Sequence, residues 1–120
     1  MAGLDVKSLD SPEETRPFAD KGQVEVVDME GETVLRATFE PGWRWSEHVK
    51  PIAQTESCQS HHFFYTVSGR MHVEMNDGTE REIGPGDVAR IEPGHDAWVV
   101  GDEACITVDF GASASYAKRQ

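Results

Sequence analysis

The side chains of this 120-residue chain best suited to chemistry near neutral pH are two cysteines, Cys58 and Cys105, and five histidines, His48, His61, His62, His72 and His95. Thiolate sulfur and imidazole nitrogen are good donors for zinc and related ions. Without a metal, the same groups can act as nucleophile or as acid and base. Their contexts differ. Cys105 lies in Ala104-Cys105-Ile106-Thr107-Val108, where a small buried residue is expected. His72 alternates with Met71 and Val73 and reads as a surface position, while His61 has the opposite strand parity to His62 and reads as outward or edge-lying. Cys58 sits in the least regular stretch, His48 to Ser60, and His95 directly follows the turn at Pro93-Gly94. A single His or Cys facing an apolar interior is most often a packed, hydrogen-bonded side chain. The scaffold therefore decides whether any of these groups meet.

That scaffold reads as strands from Gln23 onward. Val24 to Met29 precedes a turn at Glu30-Gly31, and in Thr33 to Phe39 the residues Leu35, Ala37 and Phe39 alternate with Val34, Arg36 and Thr38. A period of two is that of a strand with one face buried. Phe63-Phe64-Tyr65-Thr66-Val67 is strand-like by its aromatic and β-branched content. Ser68-Gly69 turns it into the alternating run Arg70 to Met75, and Asn76-Asp77-Gly78 is a hairpin signal. Further short strands follow from Glu80, from Val88, from the His95 turn and from Ala104. About nine short strands at intervals of about 8–12 residues, without a long amphipathic helix, imply an all-β sandwich or barrel. Residues 1–21 read as a polar arm, with Ser11-Pro12-Glu13-Glu14 able to open one helical turn and Phe18 docking the arm on the barrel. Residues 22–111 form the barrel domain, and 112–120 a frayed or briefly helical tail.

The length suits one domain with one core. A net charge of −11, from 22 acidic against 11 basic residues, argues against a nucleic-acid partner, which needs a concentrated basic face. No apolar run approaches the roughly 20 residues of a membrane helix, so no membrane partner is expected. Met1-Ala2-Gly3-Leu4-Asp5-Val6 has neither a basic region nor an apolar core, so the expected location is the cytoplasm, where two cysteines are weak evidence for a disulfide.

The run Tyr65-Thr66-Val67-Ser68-Gly69-Arg70-Met71, then Asp77-Gly78-Thr79, then Gly84-Pro85-Gly86-Asp87, resembles the framework of the cupin superfamily over about residues 24–110. So does the order turn, strand, Pro93-Gly94, His95, strand. The resemblance implies an RmlC-like jelly roll, a double-stranded β-helix barrel carrying here a short irregular N-terminal arm. Such barrels often hold one metal ion. The first metal motif of that family has two histidines and a glutamate ahead of a glycine. Counted back from Gly69, this motif puts His62 in the glutamate place and Glu56 and Cys58 in the histidine places. Counted forward from Gly42, it puts His48 and Lys50 in the histidine places, so the two counts imply an insertion between them. The second motif expects its histidine where Ala97 stands, and His95 takes that place if the turn is two residues shorter.

The ligand set implied by the resemblance is therefore Glu56, Cys58, His62 and His95, with His48 as the alternative. One thiolate, two imidazoles and a carboxylate favour zinc over iron, nickel, manganese or copper. Trp43, Trp45, Tyr65 and Trp98 are candidates for the pocket wall. Arg44, Lys50 and Arg90 are the basic groups that would meet a bound anion if they point inward.

Three functions fit this reading. One is a metal-dependent enzyme of oxygenase, isomerase or lyase type acting on a small organic molecule, with organic acids among the candidates. The second is a non-catalytic cupin that binds or senses such a ligand. The third is a metal-free acid/base cupin using Glu56, His62 or His95. A homodimer is expected, paired through the edges of the first strands, Val24 to Met29 and Val34 to Phe39.

Overall fold

The alternation seen in the sequence becomes the inner and outer faces of two antiparallel sheets. The structure, a computed structural model, describes residues 3–111 and Tyr116; the rest of the expected tail at 112–120 lies outside the described residues. Among the described residues nine strands run in chain order: β1 (Glu14–Pro17), β2 (Gly22–Asp28), β3 (Thr33–Phe39), β4 (His62–Ser68), β5 (Arg70–Met75), β6 (Glu80–Ile83), β7 (Val88–Ile91), β8 (His95–Val100) and β9 (Cys105–Asp109). Two short helices, α1 (Trp45–His48) and α2 (Lys50–Ala53), occupy the irregular stretch ahead of β4. One sheet has the order β1-β2-β3-β9-β4-β7 and the other β6-β5-β8. No helix among the described residues is long and apolar enough to cross a membrane.

Val24 and Val26 of β2, Leu35, Ala37 and Phe39 of β3, and Cys105 of β9 are buried on the inner face of the larger sheet. Met71 and Val73 of β5, Ile83 of β6, and Ala97 and Val99 of β8 are buried on the smaller one. Phe18 docks as expected: its ring stacks on Phe39 at 5.5 Å and lies 5.6 Å from Trp43, which in turn sits 4.3 Å from Phe39. Removing a buried aromatic from such a cluster costs about 3–5 kcal/mol. The turn from β4 to β5 depends on glycine. Gly69 has φ +76°, and a Cβ there would fall 2.3 Å from the carbonyl oxygen of Ala104, so any side chain is both strained and blocked.

The arm differs from its sequence reading. Residues 14–17 form β1, antiparallel to β2, where a helical turn at Ser11–Glu14 was expected. The reason lies in one residue. The only inward position of β1 is Arg16, which is buried, so the strand carries no apolar signal. Burial of Arg16 is made possible by its Nη1 donating to the carbonyl of Tyr116 at 3.0 Å and its Nη2 pairing with Glu14 at 2.9 Å. Because β1 covers the outer edge of β2, Val24 to Met29 is not a free edge, and the larger sheet ends at β1 and β7.

Candidate metal centre

Three strand ends and one loop converge inside the barrel. His62 opens β4, His95 opens β8 and Asp109 closes β9. Cys58 belongs to no strand, yet an isolated antiparallel bridge fixes it opposite His95. In that bridge the Cys58 N–H donates to the His95 carbonyl at 2.8 Å, and the Gly94 N–H donates to the Cys58 carbonyl at 2.7 Å. Asn76 clamps the same corner, donating from its side chain to Ser57 Oγ at 3.1 Å and from its backbone to the Gly94 carbonyl at 2.9 Å. The loop is thus held by hydrogen bonds to a hairpin rather than by a sheet of its own.

Cys58, His62 and His95 are all buried, and one donor atom from each lies within 4.8 Å of the other two. Cys58 Sγ is 3.6 Å from His62 Nε2. The Nδ1–H of His62 donates to Asp109 Oδ2 at 2.6 Å, and a carboxylate can only accept, so the proton on that side is assigned. The Nδ1–H of His95 likewise donates to the Glu92 carbonyl at 2.8 Å. Both rings therefore have Nε2 as their remaining nitrogen, the arrangement in which histidines present a lone pair to an ion. Asp109 is itself held by the N–H groups of Phe63, at 3.1 Å, and Gly111, at 2.9 Å.

The electrostatics follow from this packing. Burial by itself would push the Cys58 thiol up, but hydrogen bonds from His62 and His95 outweigh it and bring the pKa down to about 6. Burial also disfavours charge on His62, while Asp109 and Cys58 on its two sides favour it and push its pKa up to about 9. Asp109 is held below the usual carboxylate range: burial opposes this, and the His62 and backbone hydrogen bonds win. Cys105, with no such partners, is pushed up to about 12, mainly by burial. Both cysteines are free, and only Cys58 has the surroundings of a thiolate.

A cavity of about 30 Å³ adjoins the three donors. Its wall includes Trp43, Trp45, Phe64, Ile91 and Tyr116. Tyr116 is buried, with its ring edge-on to His62 at 5.0 Å, and burial together with the nearby Cys58 and Asp109 keeps its phenol neutral by raising its pKa. The indole N–H groups of Trp43 and Trp45 are buried with no hydrogen-bond partner among the described residues.

Several expected site residues lie elsewhere. The side chain of Glu56 is 99% exposed and pairs with Lys50 at 3.3 Å. The parity argument that placed it beside Cys58 fails because residues 56–58 are not a strand and Ser57 between them is buried too. His48 accepts the backbone N–H of Arg44 at 3.0 Å and closes α1, outside the donor group. Tyr65 is on the outer face of β4, 47% exposed, because His62, Phe64 and Thr66 take the inner face. Trp98 is half-buried on the outer face of β8, sandwiched between the His72 ring at 4.7 Å and the Arg44 guanidinium at 4.3 Å. Arg44 pairs with Asp96, and Arg90 lies 5.4 Å over Phe63, so neither they nor Lys50 line the cavity. Sequence reasoning missed Asp109 and Tyr116. Asp109 was detectable as a carboxylate at the third inward position of β9, after Cys105 and Thr107. Tyr116 left no periodic signal.

A family model for the EutQ-like cupin domain matches residues 47–109, more than half of the chain. The chain belongs to the cupin family. No curated protein matches it. Among solved structures, this cupin is similar to a conserved protein with a double-stranded β-helix domain from Klebsiella pneumoniae, with 21% identity, a TM-score of 0.60, and coverage of 94% of this chain and 93% of that one. It is also similar to a cupin-like protein from Thermotoga maritima, with 17% identity, a TM-score of 0.57, and coverage of 83% and 74%. A third is KdgF from a Halomonas species, with 18% identity, a TM-score of 0.55, and coverage of 79% and 84%. At these identities the likeness establishes the double-stranded β-helix fold, and function rests on the site.

Proposed function

We propose that this cupin binds one divalent metal ion through Cys58, His62 and His95, zinc being favoured, and that it binds or acts on a small organic molecule beside the ion. The observation that carries this reading is the approach of three buried donor atoms to within 4.8 Å of one another. One thiolate and two imidazoles suit zinc, and three protein ligands leave a position open. Thiolate also accepts copper, and imidazole also accepts copper, iron and nickel, so the metal analysis below decides among these ions, while manganese prefers oxygen donors that this set lacks.

Each residue has a part. Asp109 and the Glu92 carbonyl hold the two rings so that Nε2 faces Cys58. The Cys58 thiolate offsets the positive charge that burial would otherwise disfavour. A bound zinc ion supplies a Lewis acid. Trp43 and Trp45 contribute ring surface to apolar walls that exclude bulk water. The cavity admits little more than a water beside the donors, so Tyr116 and the indoles define the shape that any larger ligand must meet. The same arrangement serves an enzyme or a sensor, and turnover with candidate carbonyl compounds separates the two.

The test is metal analysis of protein purified without a metal-affinity tag. About one ion per chain is expected, lost in Cys58→Ala and in His95→Gln and kept in Glu56→Ala and His48→Ala. No ion in the parent protein, even after incubation with zinc, overturns the reading. A second reading then gains support from the contacts Cys58 Sγ to His62 Nε2 and His62 Nδ1 to Asp109. These make a thiolate–imidazolium pair oriented by a carboxylate, able to work without metal.

We also propose a homodimer, with its contact moved from the first strands to the other end of the larger sheet. Phe63, Tyr65, Val67, Val88 and Phe110 are 41–64% exposed there on adjoining strands and their ends. None of the five carries charge, which matters for pairing two copies of a molecule with net charge −11.

A further inference from the structure

The two sheets leave one side of the barrel open. The larger sheet stops at β7 and the smaller at β6, and among the described residues neither strand has a neighbour on that side. Between them lies a second cavity of about 490 Å³, bordered by Val73, Ile83, Ala89, Ile91 and Arg81 among others. That volume falls in the range of small-molecule pockets, about 300–1,000 Å³. Ile91 also lines the metal-centre cavity, so it borders both spaces.

Arg81 is the unusual member of this wall. In the β5–β6 register it stands opposite Val73, as Ile83 stands opposite Met71, and cross-strand partners share a face. Val73, Met71 and Ile83 face the core, so Arg81 is carried on the same side at the open edge. Four other arginines of this acidic chain have a carboxylate within 3.3 Å: Arg16 with Glu14, Arg36 with Glu25, Arg44 with Asp96 and Arg70 with Glu82. Among the described residues Arg81 has none. The carboxylates that border the same groove are engaged or turned elsewhere. Glu82 pairs with Arg70, Asp87 accepts the Gly84 N–H at 2.8 Å, and Glu92 lies 4.0 Å from His61. Arg90 also borders the groove, but its guanidinium lies over Phe63 on the outer face.

We propose that this groove is a binding site for a small amphipathic carboxylate, with Arg81 meeting the anionic head and the inner faces of β5, β6 and β7 receiving the apolar body. A guanidinium pairs a carboxylate through two parallel hydrogen bonds, a geometry that an alcohol or an amine cannot reproduce. The site needs no metal and stands whether or not the Cys58 centre is filled. Its competing explanation is an inward charge that only protects a free edge from pairing with another strand.

Hexanoate, hexanol and hexylamine are the probes, titrated into isotope-labelled protein while methyl resonances are followed by NMR. Hexanoate should shift the methyls of Val73, Ile83 and Ile91, with hexanol weaker by about tenfold and hexylamine silent. Arg81→Gln should weaken hexanoate about tenfold, and Arg81→Lys should recover part of the loss. Arg81 is exposed on a short edge strand, so both variants should keep the parent spectrum outside the groove. Repeating the titration after chelation and after zinc loading separates this site from the metal centre, because groove binding should persist in both states. Equal affinity for hexanol and hexanoate, unchanged affinity in Arg81→Gln, or shifts confined to the Trp45 and Tyr116 cavity would each overturn the proposal and leave Arg81 as an edge guard only.

Discussion

Cys58 allows the sharpest test of the site, because its surroundings act on a rate that can be followed with pH. In metal-free protein its pKa is about 6 against an ordinary 9.0. At pH 7 a thiol at the ordinary value is about 1% thiolate, whereas one at about 6 is about 90% thiolate. The lower basicity also weakens the nucleophile: over about three pKa units, a Brønsted slope of 0.4–0.5 removes about 20-fold of that gain. The net expectation is alkylation about fourfold faster than that of an ordinary thiol of equal access. Burial slows both forms alike, so the decisive quantity is the midpoint of the pH profile rather than the absolute rate. Iodoacetamide alkylation of Cys58 in chelator-treated Cys105→Ser protein should rise tenfold per pH unit below about 6 and then level off. A profile that keeps rising to a midpoint near 9 would refute the hydrogen bonds drawn from His62 and His95. Zinc added in slight excess should suppress the reaction at pH 7, and chelation should restore it. Equal rates with and without zinc in folded protein would remove Cys58 from the ligand set.

Other consequences can be checked alongside. Asp109→Asn removes the acceptor that orients His62 and should weaken zinc binding by about 10–100-fold, measured by competition with a chelating dye. Because the carboxyl pKa of Asp109 is lowered in the fold, its stabilisation is present above the unfolded value of 3.8 and is lost as pH falls through the lowered one; Asp109→Asn should therefore flatten the acid limb of a stability–pH curve. Tyr116→Ala empties a buried ring position beside His62 and should cost about 3 kcal/mol in urea unfolding, while speeding Cys58 alkylation and shifting its midpoint downward as burial of the thiol is relieved. Sedimentation should show a dimer at micromolar concentration that becomes a monomer in the double variant Phe63→Glu, Tyr65→Glu; a monomeric parent protein removes the interface proposal.

The sequence by itself determined the local elements, because strand alternation and turn chemistry depend on near neighbours. Leu35, Ala37 and Phe39 face the core as their period of two requires, Gly69 turns where only a glycine fits, and Cys105 is buried as its apolar run implied. The same locality limited the site. Parity put Glu56 beside Cys58 only on the assumption of a strand, and the chain instead reaches Cys58 through two short helices and a loop pinned by Asn76. Tyr65 and Trp98 are aromatic enough for a pocket wall, yet each sits one residue away from the inward position of its strand. Tertiary structure alone decided that Asp109 meets His62 across 47 residues and that Tyr116 meets Arg16 across 100. Such contacts join groups whose own neighbourhoods are unremarkable. Each becomes favourable only after the sheets have closed, when a buried charge must find a partner or pay the cost of leaving water.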